Sequence, residues 1–397
     1  MSARSGALIV GASRAGLSAA RALRKGGFDG RIRVVGAERN LPYDRTAVSK
    51  GLMSGSDTID EIGLAFPGEL DDLDLILGHT AVSLDVERRR VTLDDGTALG
   101  FEVLFIATGS AAVWPASIPH LQGVHTLRTA DDSMALCADL SDAKRVVVVG
   151  GGFIGAEVAA GIKSADVDVT MIVAGTVPLE RALGREFGEE WAGVHREHGI
   201  DVRCGEYVAS LSAEFDRVSA VVLSDGTSID ADVVVLGIGA RPVTDWLHGS
   251  GLTLSDGVVC DENLMAAPGI YAIGDVAKWP HPKFGQLLRV EHWTNAHEQG
   301  TAAARHYLGV GGPFENVPYV WTDQFGYRIQ VYGKTTAADL IHRVPSANPS
   351  VPRIVLYGSG SRLMAALGVD DPRSLLPLRR LIAQPDSWEH ALSLVGS

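Results

Sequence analysis

Two glycine-rich segments of the sequence have the residue spacing that binds the diphosphate of a dinucleotide. The first is Gly11-Ala-Ser-Arg-Ala-Gly16 and the second is Gly150-Gly-Gly-Phe-Ile-Gly155. Glycines at this spacing allow a tight turn and let backbone N–H groups approach a phosphate, while the helix that follows favours its negative charge. Two such segments predict a protein that holds two dinucleotides and passes electrons between them.

Each glycine segment lies between a predicted strand and a predicted helix. Apolar runs precede the segments at 7–10 and 145–149, helical patterns follow at 17–23 and 156–161, and further strands lie at 31–35 and 167–173. Each segment is therefore part of a complete βαβ unit of about 30 residues, the context that the motif needs. In the first segment Ser13 replaces the middle glycine, and its hydroxyl can donate to a phosphate.

The second half of the chain repeats the layout of the first half. Short strands with the turns Asp94-Asp-Gly-Thr97 and Ser224-Asp-Gly-Thr227 follow the two βαβ units. An apolar strand comes next in each half and ends in Thr108-Gly109 or in Gly237-Ile-Gly239. Such an internal repeat predicts two domains of the same dinucleotide-binding type.

Composition and charge exclude several classes of function. The chain has 397 residues, enough for two or three domains. Its net charge of −13 argues against a nucleic-acid partner. The apolar runs are too short to span a bilayer, and the N-terminal residues Met1–Ser5 lack the apolar segment of a signal peptide. We therefore expect neither nucleic acid nor a membrane among the partners.

The cysteines and histidines give no sign of a disulfide or of a metal centre. Cys137, Cys204 and Cys260 are far apart and form no CxxC pair, which fits a reducing, cytoplasmic setting. His195 and His198 have the i, i+3 spacing of a helical zinc pair, but no further ligand cluster accompanies them. We interpret these two histidines as part of a solvated helix face and expect no metal site.

A series of ordered motifs carries a resemblance over nearly the whole chain. They are the first glycine segment, Leu41-Pro-Tyr-Asp-Arg45, Val48-Ser-Lys50, Ala107-Thr-Gly109, Leu127-Arg-Thr129, the segment from Gly150 to Glu157, Gly237-Ile-Gly239, Tyr271-Ala-Ile-Gly-Asp275, Val290-Glu-His-Trp-Thr-Asn295 and Trp321-Thr-Asp-Gln324. In these motifs the chain resembles the FAD-dependent ferredoxin reductases of bacterial oxygenase systems. That family includes putidaredoxin reductase, the reductase components of aromatic-ring dioxygenases and the flavoprotein part of apoptosis-inducing factor.

The resemblance implies an α/β fold of the glutathione-reductase type. Two Rossmann-like dinucleotide-binding domains would be followed by a C-terminal α+β domain. The expected boundaries are 1–110 with 243–316 for the FAD-binding domain, 111–242 for the NAD(P)H-binding domain and 317–397 for the C-terminal interface domain.

The resemblance also implies most of the cofactor-binding residues. FAD would be held by Gly11, Ser13, Ala15, Gly16, Glu38, Thr108, Gly109, Gly274 and Asp275, and lined by Arg45, Val82, Arg128 and Trp293. NAD(P)H would be held by Gly150, Gly152, Ile154, Gly155 and Gly239. Glu38 lies 22 residues after Gly16, where a carboxylate can accept from ribose hydroxyls, although it could also be a surface acid. Asp275 would accept from a ribitol hydroxyl, and a helix N-cap is a compatible alternative.

The resemblance places Lys50 and Glu157 as a pair near the isoalloxazine, and these are the expected catalytic residues. A cation close to N5 and N1 favours the reduced flavin, and a carboxylate would hold that ammonium in place. From the sequence by itself both would be surface charges of two separate helices. Trp321 is expected to stack near the nicotinamide or to line the electron exit, and a buried aromatic of the last domain is an equal alternative.

The nicotinamide site departs from the family pattern. Relatives usually end the strand after the second glycine segment with Glu and have Arg four residues later, whereas this chain has Val173 and Val177. The acid that would reject a 2′-phosphate is missing, but no cation in 174–177 would welcome one, and Arg181 and Arg185 are the nearest. We expect weaker binding at the adenosine end, with NADH slightly favoured and NADPH possible.

The implied activity is that of an FAD-dependent NAD(P)H:ferredoxin oxidoreductase. A hydride would pass from the nicotinamide to the flavin, and single electrons would then pass to a small iron–sulfur ferredoxin, or rubredoxin, that serves a cytochrome P450 or a ring-hydroxylating dioxygenase. The protein would be a monomer or a weak homodimer. Cations that could receive an acidic ferredoxin, or belong to a scattered solvated surface, are Lys283, Arg289, Lys334 and Arg353.

Two alternative functions have to be compared with this one. The first is a flavoenzyme that depends on a disulfide or a thiol. The absence of paired cysteines excludes a disulfide reductase, and a single-thiol peroxidase would need a cysteine around 40–50, where the chain has Lys50. A slow redox sensor or NADH oxidase that resembles apoptosis-inducing factor is the second alternative, because a poor nucleotide site at Val173 suits slow turnover.

Overall fold

The computed structural model describes residues 6–66, 68–163, 166–336, 338–347 and 351–396, so Met1–Ser5 lie outside the described residues. The chain divides into two compact units. The first unit comprises Met1–Asp44, Ile59–Ala111 and Arg241–Pro318, and the second comprises Arg45–Thr58, Ala112–Ala240 and Tyr319–Ser397. The three-domain boundaries stay a prediction. Within the described residues, no helix has both the length and the apolar character to cross a bilayer.

Helices and strands follow one another closely along the described chain. The first part contains β1 (Ala7–Val10), α1 (Arg14–Lys25), β2 (Ile32–Gly36), a 3₁₀ helix (Arg45–Ser49), α2 (Gly51–Ser54), β3 (Asp74–Leu77), β4 (Ala81–Asp85), β5 (Arg90–Leu93), β6 (Ala98–Gly100), β7 (Val103–Ile106), β8 (Ser110–Ala112), β9 (Val124–His125) and α3 (Ala130–Leu140). The middle part contains β10 (Arg145–Val149), α4 (Phe153–Ile162), β11 (Asp168–Val173), α5 (Glu180–Leu183), α6 (Arg185–Glu197), β12 (Asp201–Cys204), β13 (Val208–Glu214), β14 (Arg217–Leu223), β15 (Ser228–Asp230), β16 (Val233–Leu236) and β17 (Ala240–Pro242). The last part contains a 3₁₀ helix (Asp245–Leu247), β18 (Val258–Val259), β19 (Met265–Ala267), β20 (Ile270–Ala272), a 3₁₀ helix (Gly274–Val276), β21 (Ala277–His281), β22 (Gln286–Arg289), α7 (Trp293–Tyr307), β23 (Tyr319–Gln324), β24 (Tyr327–Gly333), β25 (Leu340–Pro345), β26 (Pro352–Ser359), β27 (Arg362–Val369), α8 (Pro372–Leu381) and α9 (Ser387–Val395).

The first unit is built on a sheet with the strand order β19-β20-β7-β1-β2-β3. Strands β1 and β7 are buried along their whole length and pair in parallel, which explains their uninterrupted apolar sequences. Helices α1 and α7 pack tightly in this unit. The close approach is possible because residue 300 is a glycine, since a Cβ there would lie 2.3 Å from the Ala15 carbonyl oxygen. The arrangement brings the start of α1 beside the start of α7.

The second unit contains the second parallel sheet, with the order β12-β11-β10-β16-β9, and an antiparallel sheet with the order β23-β24-β27-β26-β25. Phe187 and Trp191 of α6 share a buried apolar cluster with Ile329 and Leu367 of the antiparallel sheet. The two βαβ units and the α/β fold with its C-terminal sheet are therefore confirmed. One face of helix α6 is covered by the C-terminal sheet, while the opposite face is exposed.

The covered position of α6 makes one sequence-based expectation wrong. His195 is fully buried, while only His198 of the pair is exposed. The reason is periodicity: residues 187, 191 and 195 recur every four positions and form one stripe of the helix, which faces the sheet. His195 is therefore not part of a solvated face.

Both predicted hairpin turns are present. The Leu93 N–H donates to the Thr97 carbonyl at 2.8 Å, and the Leu223 N–H donates to the Thr227 carbonyl at the same distance. The internal repeat seen in the sequence is therefore a repeat of structure.

Candidate functional site

The first glycine segment forms the turn from β1 into α1. Gly11 has a φ of +126°, and a Cβ there would lie 2.0 Å from the Ala107 carbonyl oxygen. A Cβ at Gly16 would lie 2.0 Å from the Gly11 oxygen. These glycines therefore let the backbone of the turn, the helix and β7 approach each other closely, and neither can be replaced without moving main chain.

A buried amide beside this turn has a donor without a partner. Gln299 of α7 is fully buried, and its Oε1 accepts from the Gly274 N–H at 2.8 Å. Its Nε2 has no hydrogen-bond partner. A Cβ at Gly274 would lie 3.1 Å from Cβ of Ala15, so this amide is adjacent to the predicted cofactor residues. Because an unsatisfied buried donor costs about 1–3 kcal/mol, the residues fit a ligand that brings an acceptor, as the diphosphate of a dinucleotide does.

Ser13, at the N-cap of α1, fits the same ligand. Its side chain makes no capping hydrogen bond to the helix. The hydroxyl is thus not used for the role that an N-cap serine usually has, which suits donation to a phosphate.

Gln299 was not predicted from the sequence, although a signal was present. The residue lies three positions after Ala296 and four before Ala303, on a buried stripe of α7 whose other members, apart from Asn295, are small and apolar. A glutamine in such a stripe is a buried polar group that needs partners.

We expect Gln299→Glu to weaken FAD binding at least tenfold, which is about 1.4 kcal/mol. A carboxylate still accepts from the Gly274 N–H, but its second oxygen repels a diphosphate instead of donating to it. The measurement is the dissociation constant of FAD, obtained by titrating apoprotein and following flavin fluorescence. Gln286→Glu, at an exposed position of β22, adds the same charge to the same unit and is the control. Equal affinity in both variants would contradict the assignment.

The two predicted sugar-binding acids have partners that hold them at strand ends. Glu38 follows β2, and its Oε2 accepts from the Tyr43 hydroxyl at 2.5 Å. Asp275 Oδ2 accepts from the Ser110 hydroxyl at 3.0 Å. Asp275 is the second residue of its 3₁₀ helix, whose N-cap is Ile273, so the N-cap alternative is wrong.

The remaining residues predicted in the first unit lie in three separate settings. Thr108 Oγ1 donates to the Val243 carbonyl at 2.8 Å, which ties down the turn that contains Gly109. Val82 is half exposed at an irregular position of β4. Trp293 begins α7, and the guanidinium carbon of Arg14 lies 3.8 Å from its ring centroid, a cation–π contact that the sequence did not suggest.

The second glycine segment forms the turn from β10 into α4, and the three glycines at the motif positions 150, 152 and 155 differ in their surroundings. A Cβ at Gly150 would lie 2.2 Å from the Gly237 oxygen, and one at Gly155 would lie 2.0 Å from the Gly150 oxygen. A Cβ at Gly152 would meet nothing within 4 Å. The outer glycines therefore allow chain packing, while the middle one faces open space, as expected where a diphosphate approaches the backbone.

Other residues predicted for the nicotinamide site are also open to their surroundings. A Cβ at Gly239 would likewise meet nothing within 4 Å. Ile154, which follows the second glycine turn, and Ile238, which precedes Gly239, are 41% and 40% exposed. Exposed apolar side chains at glycine turns are typical of a nucleotide site, which is concave and largely apolar.

Lys50 and Glu157 form an ion pair in the second unit. Lys50 Nζ lies 2.9 Å from both carboxylate oxygens of Glu157. The Glu157 side chain is 5% exposed and the Lys50 side chain is 29% exposed. Because of this low exposure, Glu157 of α4 is an interior group. The sequence by itself had suggested a surface charge.

Two further predicted residues of the second unit are in contact. Arg45 Nη1 donates to the Arg128 carbonyl at 2.6 Å, which fixes the start of the 3₁₀ helix that leads to Lys50.

Trp321 of β23 stacks on Tyr319 with a centroid distance of 5.8 Å. The roles of Arg45, Arg128 and Trp321 toward a cofactor stay predictions.

The loop after β11 is bound by an acid at the start of α5 that was not predicted from the sequence. Val173 and Val177 are both buried. Glu180 accepts from the Thr176 N–H at 3.1 Å and from the Thr176 hydroxyl at 2.9 Å. The hydroxyl bond, followed by the backbone bond, holds the pKa of Glu180 below its usual value, so the loop carries a negative charge at neutral pH. Arg185 is engaged by Glu189 at 2.8 Å.

One of the cations suggested for docking is not available. The Arg289 side chain is only 14% exposed and pairs with Asp256 at 3.2 Å and with Glu291. A cation that is largely shielded from solvent and neutralised by two acids contributes little to a surface field, which argues against this suggestion. Three of the suggested cations stay predictions: Lys283, Lys334 and Arg353.

Two of the three cysteines, Cys204 and Cys260, have a raised pKa and are therefore poor nucleophiles. All three are free. Burial raises the pKa of Cys260 to about 12 and also raises the pKa of Cys204. A thiol with a raised pKa is protonated at neutral pH, which argues against chemistry at these two residues.

A group of potential metal ligands lies on the first hairpin. His79, Asp94 and Asp95 have ligand atoms within 4.8 Å of one another. His79 Nδ1 lies 3.1 Å from Asp94 Oδ1, and its hydrogen bond lowers the pKa of that acid. Hydrogen bonding and ion pairing account for this group, and we assign no metal to it.

Comparison with known proteins finds relatives that match nearly the whole chain. The family model described as pyridine nucleotide-disulphide oxidoreductase matches residues 6–300, and the model described as reductase C-terminal matches residues 319–393. The chain is 34% identical over 380 residues to rhodocoxin reductase of Rhodococcus erythropolis, covering 95% of this chain and 89% of that protein. It is 35% identical over 386 residues to the ferredoxin reductase component of chlorobenzene dioxygenase of Cupriavidus sp. strain PS12, covering 94% and 91%. Among solved structures it is similar to the covalent putidaredoxin reductase–putidaredoxin complex, with a TM-score of 0.92, 30% identity, and coverage of 96% and 93%.

Proposed function

We propose that this chain, which belongs to the pyridine nucleotide-disulphide oxidoreductase family and carries the reductase C-terminal domain, is a ferredoxin reductase that uses FAD and NAD(P)H. The observation that carries this function is the pair of glycine turns in one chain, both closed by backbone contacts at their outer glycines. Its likeness to reductase components of oxygenase systems extends over nearly its full length.

The chain's own residues bind and orient the two nucleotides. The turn at Gly11, the hydroxyl of Ser13 and the amide of Gln299 would hold the FAD diphosphate, and Asp275 would accept from its ribitol. The open turn at Gly152 would hold the diphosphate of NAD(P)H. FAD, when bound, supplies the redox chemistry, since it takes up a hydride from NAD(P)H and releases electrons one at a time.

In our proposal, Lys50 supplies a fixed positive charge beside the flavin. Glu157 holds the ammonium through both of its carboxylate oxygens, so the charge does not depend on a mobile surface side chain. A preorganised charge of this kind stabilises electron uptake at no cost in reorganisation. The assignment of Lys50 to the flavin is a proposal that the Lys50→Met variant tests through the flavin potential.

We propose NADH as the preferred donor, because the adenosine end carries an acid. Val173 cannot bind ribose hydroxyls, but Glu180 places a carboxylate in the loop that follows. The Leu179 N–H donates to the Gly151 carbonyl at 2.7 Å, which joins this loop to the glycine turn. A negative charge there repels the 2′-phosphate of NADPH.

Glu180→Gln is expected to lower the preference for NADH over NADPH about fivefold, since the substitution removes one negative charge whose repulsion of a 2′-phosphate is weakened by water. Glutamine keeps an acceptor for Thr176, so the loop should keep its shape. The measurement is the ratio of kcat/KM for the two donors. Glu214→Gln removes an exposed charge from β13 and should leave the ratio unchanged. A ratio that is unchanged in Glu180→Gln as well would refute the role of this acid.

The function is tested by electron transfer to an iron–sulfur protein. With NADH as donor and cytochrome c as final acceptor, we expect turnover to depend strongly on an added [2Fe–2S] ferredoxin, with putidaredoxin as the first probe. A protein indifferent to ferredoxin, with slow reduction by NADH and a long-lived charge-transfer complex, would instead be the redox sensor or NADH oxidase. A purified protein that takes up no FAD would refute both functions.

The physiological setting completes the proposal. We place the protein in a reducing, cytoplasmic compartment as a monomer or weak homodimer, in agreement with its three free cysteines. Its partner would be a small iron–sulfur ferredoxin, or rubredoxin, that serves a cytochrome P450 or a ring-hydroxylating dioxygenase.

A further inference from the structure

A buried chain of hydrogen bonds runs through the second unit from α6 to Glu157. Trp191 and His195 of α6 bind Gln324, which binds Thr322, which binds Glu157. Each of these five side chains is at most 5% exposed. The two middle members lie on β23, the first strand of the C-terminal sheet.

The direction of every bond in this chain is fixed by chemistry. The indole Nε1 of Trp191 can only donate, and it lies 2.7 Å from Oε1 of Gln324, so that end of the amide is the oxygen. His195 Nε2 lies 2.9 Å from the same oxygen and must donate as well. Burial lowers the pKa of His195 to about 4, so the ring is neutral with its proton on Nε2 at neutral pH.

The orientation of the amide determines the role of the threonine. Gln324 Nε2 donates to Thr322 Oγ1 at 3.0 Å. The threonine hydroxyl therefore accepts from the amide and has its proton left for Glu157 Oε1, at 2.7 Å. Without the amide, the hydroxyl would be free to rotate away.

The end of the chain is the acid that binds Lys50. Besides Thr322, Glu157 accepts from the Asp323 N–H at 3.2 Å and from the Ser49 hydroxyl at 2.6 Å. Two of its donors thus come from β23. The position of the carboxylate, and of the ammonium 2.9 Å from it, depends on this strand.

We propose that Thr322 and Gln324 are positioning residues for electron uptake, which fix Glu157 and through it the Lys50 ammonium, so that the C-terminal sheet sets the charge beside the flavin. The inference rests on the proposed function, because Lys50 has no such role in a protein without FAD. It assigns to the C-terminal domain a part in the redox step in addition to any part in binding a ferredoxin.

The test is Thr322→Val, which keeps the shape of the side chain and removes the hydroxyl. Glu157 then loses a donor and draws the Lys50 charge more closely to itself. We expect a more negative midpoint potential of the bound flavin and a roughly tenfold slower reduction by NADH in stopped-flow experiments, about 1.4 kcal/mol, with an unchanged dissociation constant for NADH. Thr322→Ser, which restores the hydroxyl, should restore the potential and the rate.

Two comparisons separate this inference from general loss of stability and from failure of the proposed function. Ser387→Ala removes a buried hydroxyl of the same domain, whose partners are Leu363 and Gln384, and should leave the flavin potential unchanged. Lys50→Met should move the potential in the same direction as Thr322→Val. If Lys50→Met has no effect, the proposed place of Lys50 is wrong; if Lys50→Met shifts the potential and Thr322→Val does not, the inference is wrong.

A further test uses the unaltered protein, so its result does not depend on whether the variants fold. The ¹⁵N shifts of His195 in the FAD-bound protein should show the Nε2–H tautomer at neutral pH. An Nδ1–H tautomer would reverse the first bond of the chain and overturn the inference.

Discussion

Gly11→Ala is expected to yield a protein without bound FAD and with a free energy of unfolding lower by roughly 3 kcal/mol, the sum of a left-handed backbone penalty and of overpacking. The added methyl group would lie 2.0 Å from the Ala107 carbonyl oxygen, and neither partner is the end of a flexible side chain. Relief would require moving the turn away from β7, which would also move the backbone N–H groups that face the diphosphate. The measurements are flavin content after purification and urea unfolding.

The chain offers a matched control for this variant at the other end of α1. Gly27 also has a positive φ, +86°, but a Cβ there would meet nothing within 4 Å. Gly27→Ala should therefore show only the backbone penalty of about 1–2 kcal/mol and keep its FAD. If Gly11→Ala retains FAD as well as Gly27→Ala does, the first turn is not the flavin cradle.

Glu157→Gln is expected to lower the free energy of unfolding by about 3 kcal/mol, since removal of one partner of a buried ion pair leaves the other charge uncompensated. The value lies at the lower end of the usual range because the Lys50 side chain keeps some access to water. The new amide nitrogen replaces one of the two oxygens and would face the Lys50 ammonium together with one hydroxyl donor, that of Ser49 or that of Thr322. Reduction by NADH should slow at least tenfold, which stopped-flow absorbance would measure.

A surface ion pair provides the comparison for this second variant. Glu189 pairs with Arg185 at 2.8 Å, and both side chains are more than half exposed. Glu189→Gln should cost less than about 1 kcal/mol and leave flavin reduction unchanged. Similar losses in Glu157→Gln and Glu189→Gln would mean that burial does not give the Lys50–Glu157 pair its importance.

Features that depend on neighbouring residues in the sequence could be predicted well. The turns at Gly11 and Gly150 require glycine because of contacts made within one βαβ unit, so spacing and flanking strands were sufficient to find them. The hairpins at 94–97 and 224–227 were found for the same reason. The C-terminal α+β domain was expected from the resemblance and not from local patterns.

Features that depend on contacts between distant segments could not be predicted from the residues. His195 was misplaced because only the C-terminal sheet, more than a hundred positions away, covers it. Gln299 takes its role from the Gly274 N–H, which lies 25 positions earlier in the chain. In each case a polar residue takes its role from what the fold places beside it.

The two donors that β23 gives to Glu157 constrain how this protein can be recombined or evolve. A chimaera that exchanges the C-terminal segment with that of a relative, in order to change the partner, would also exchange Thr322, Asp323 and Gln324. Such a graft would alter redox behaviour together with partner choice unless these three positions are kept. We therefore expect natural variants to diverge in the later strands and in α8 and α9 more readily than at this first strand, so that recognition can drift while the electrostatics of the reaction stay constant.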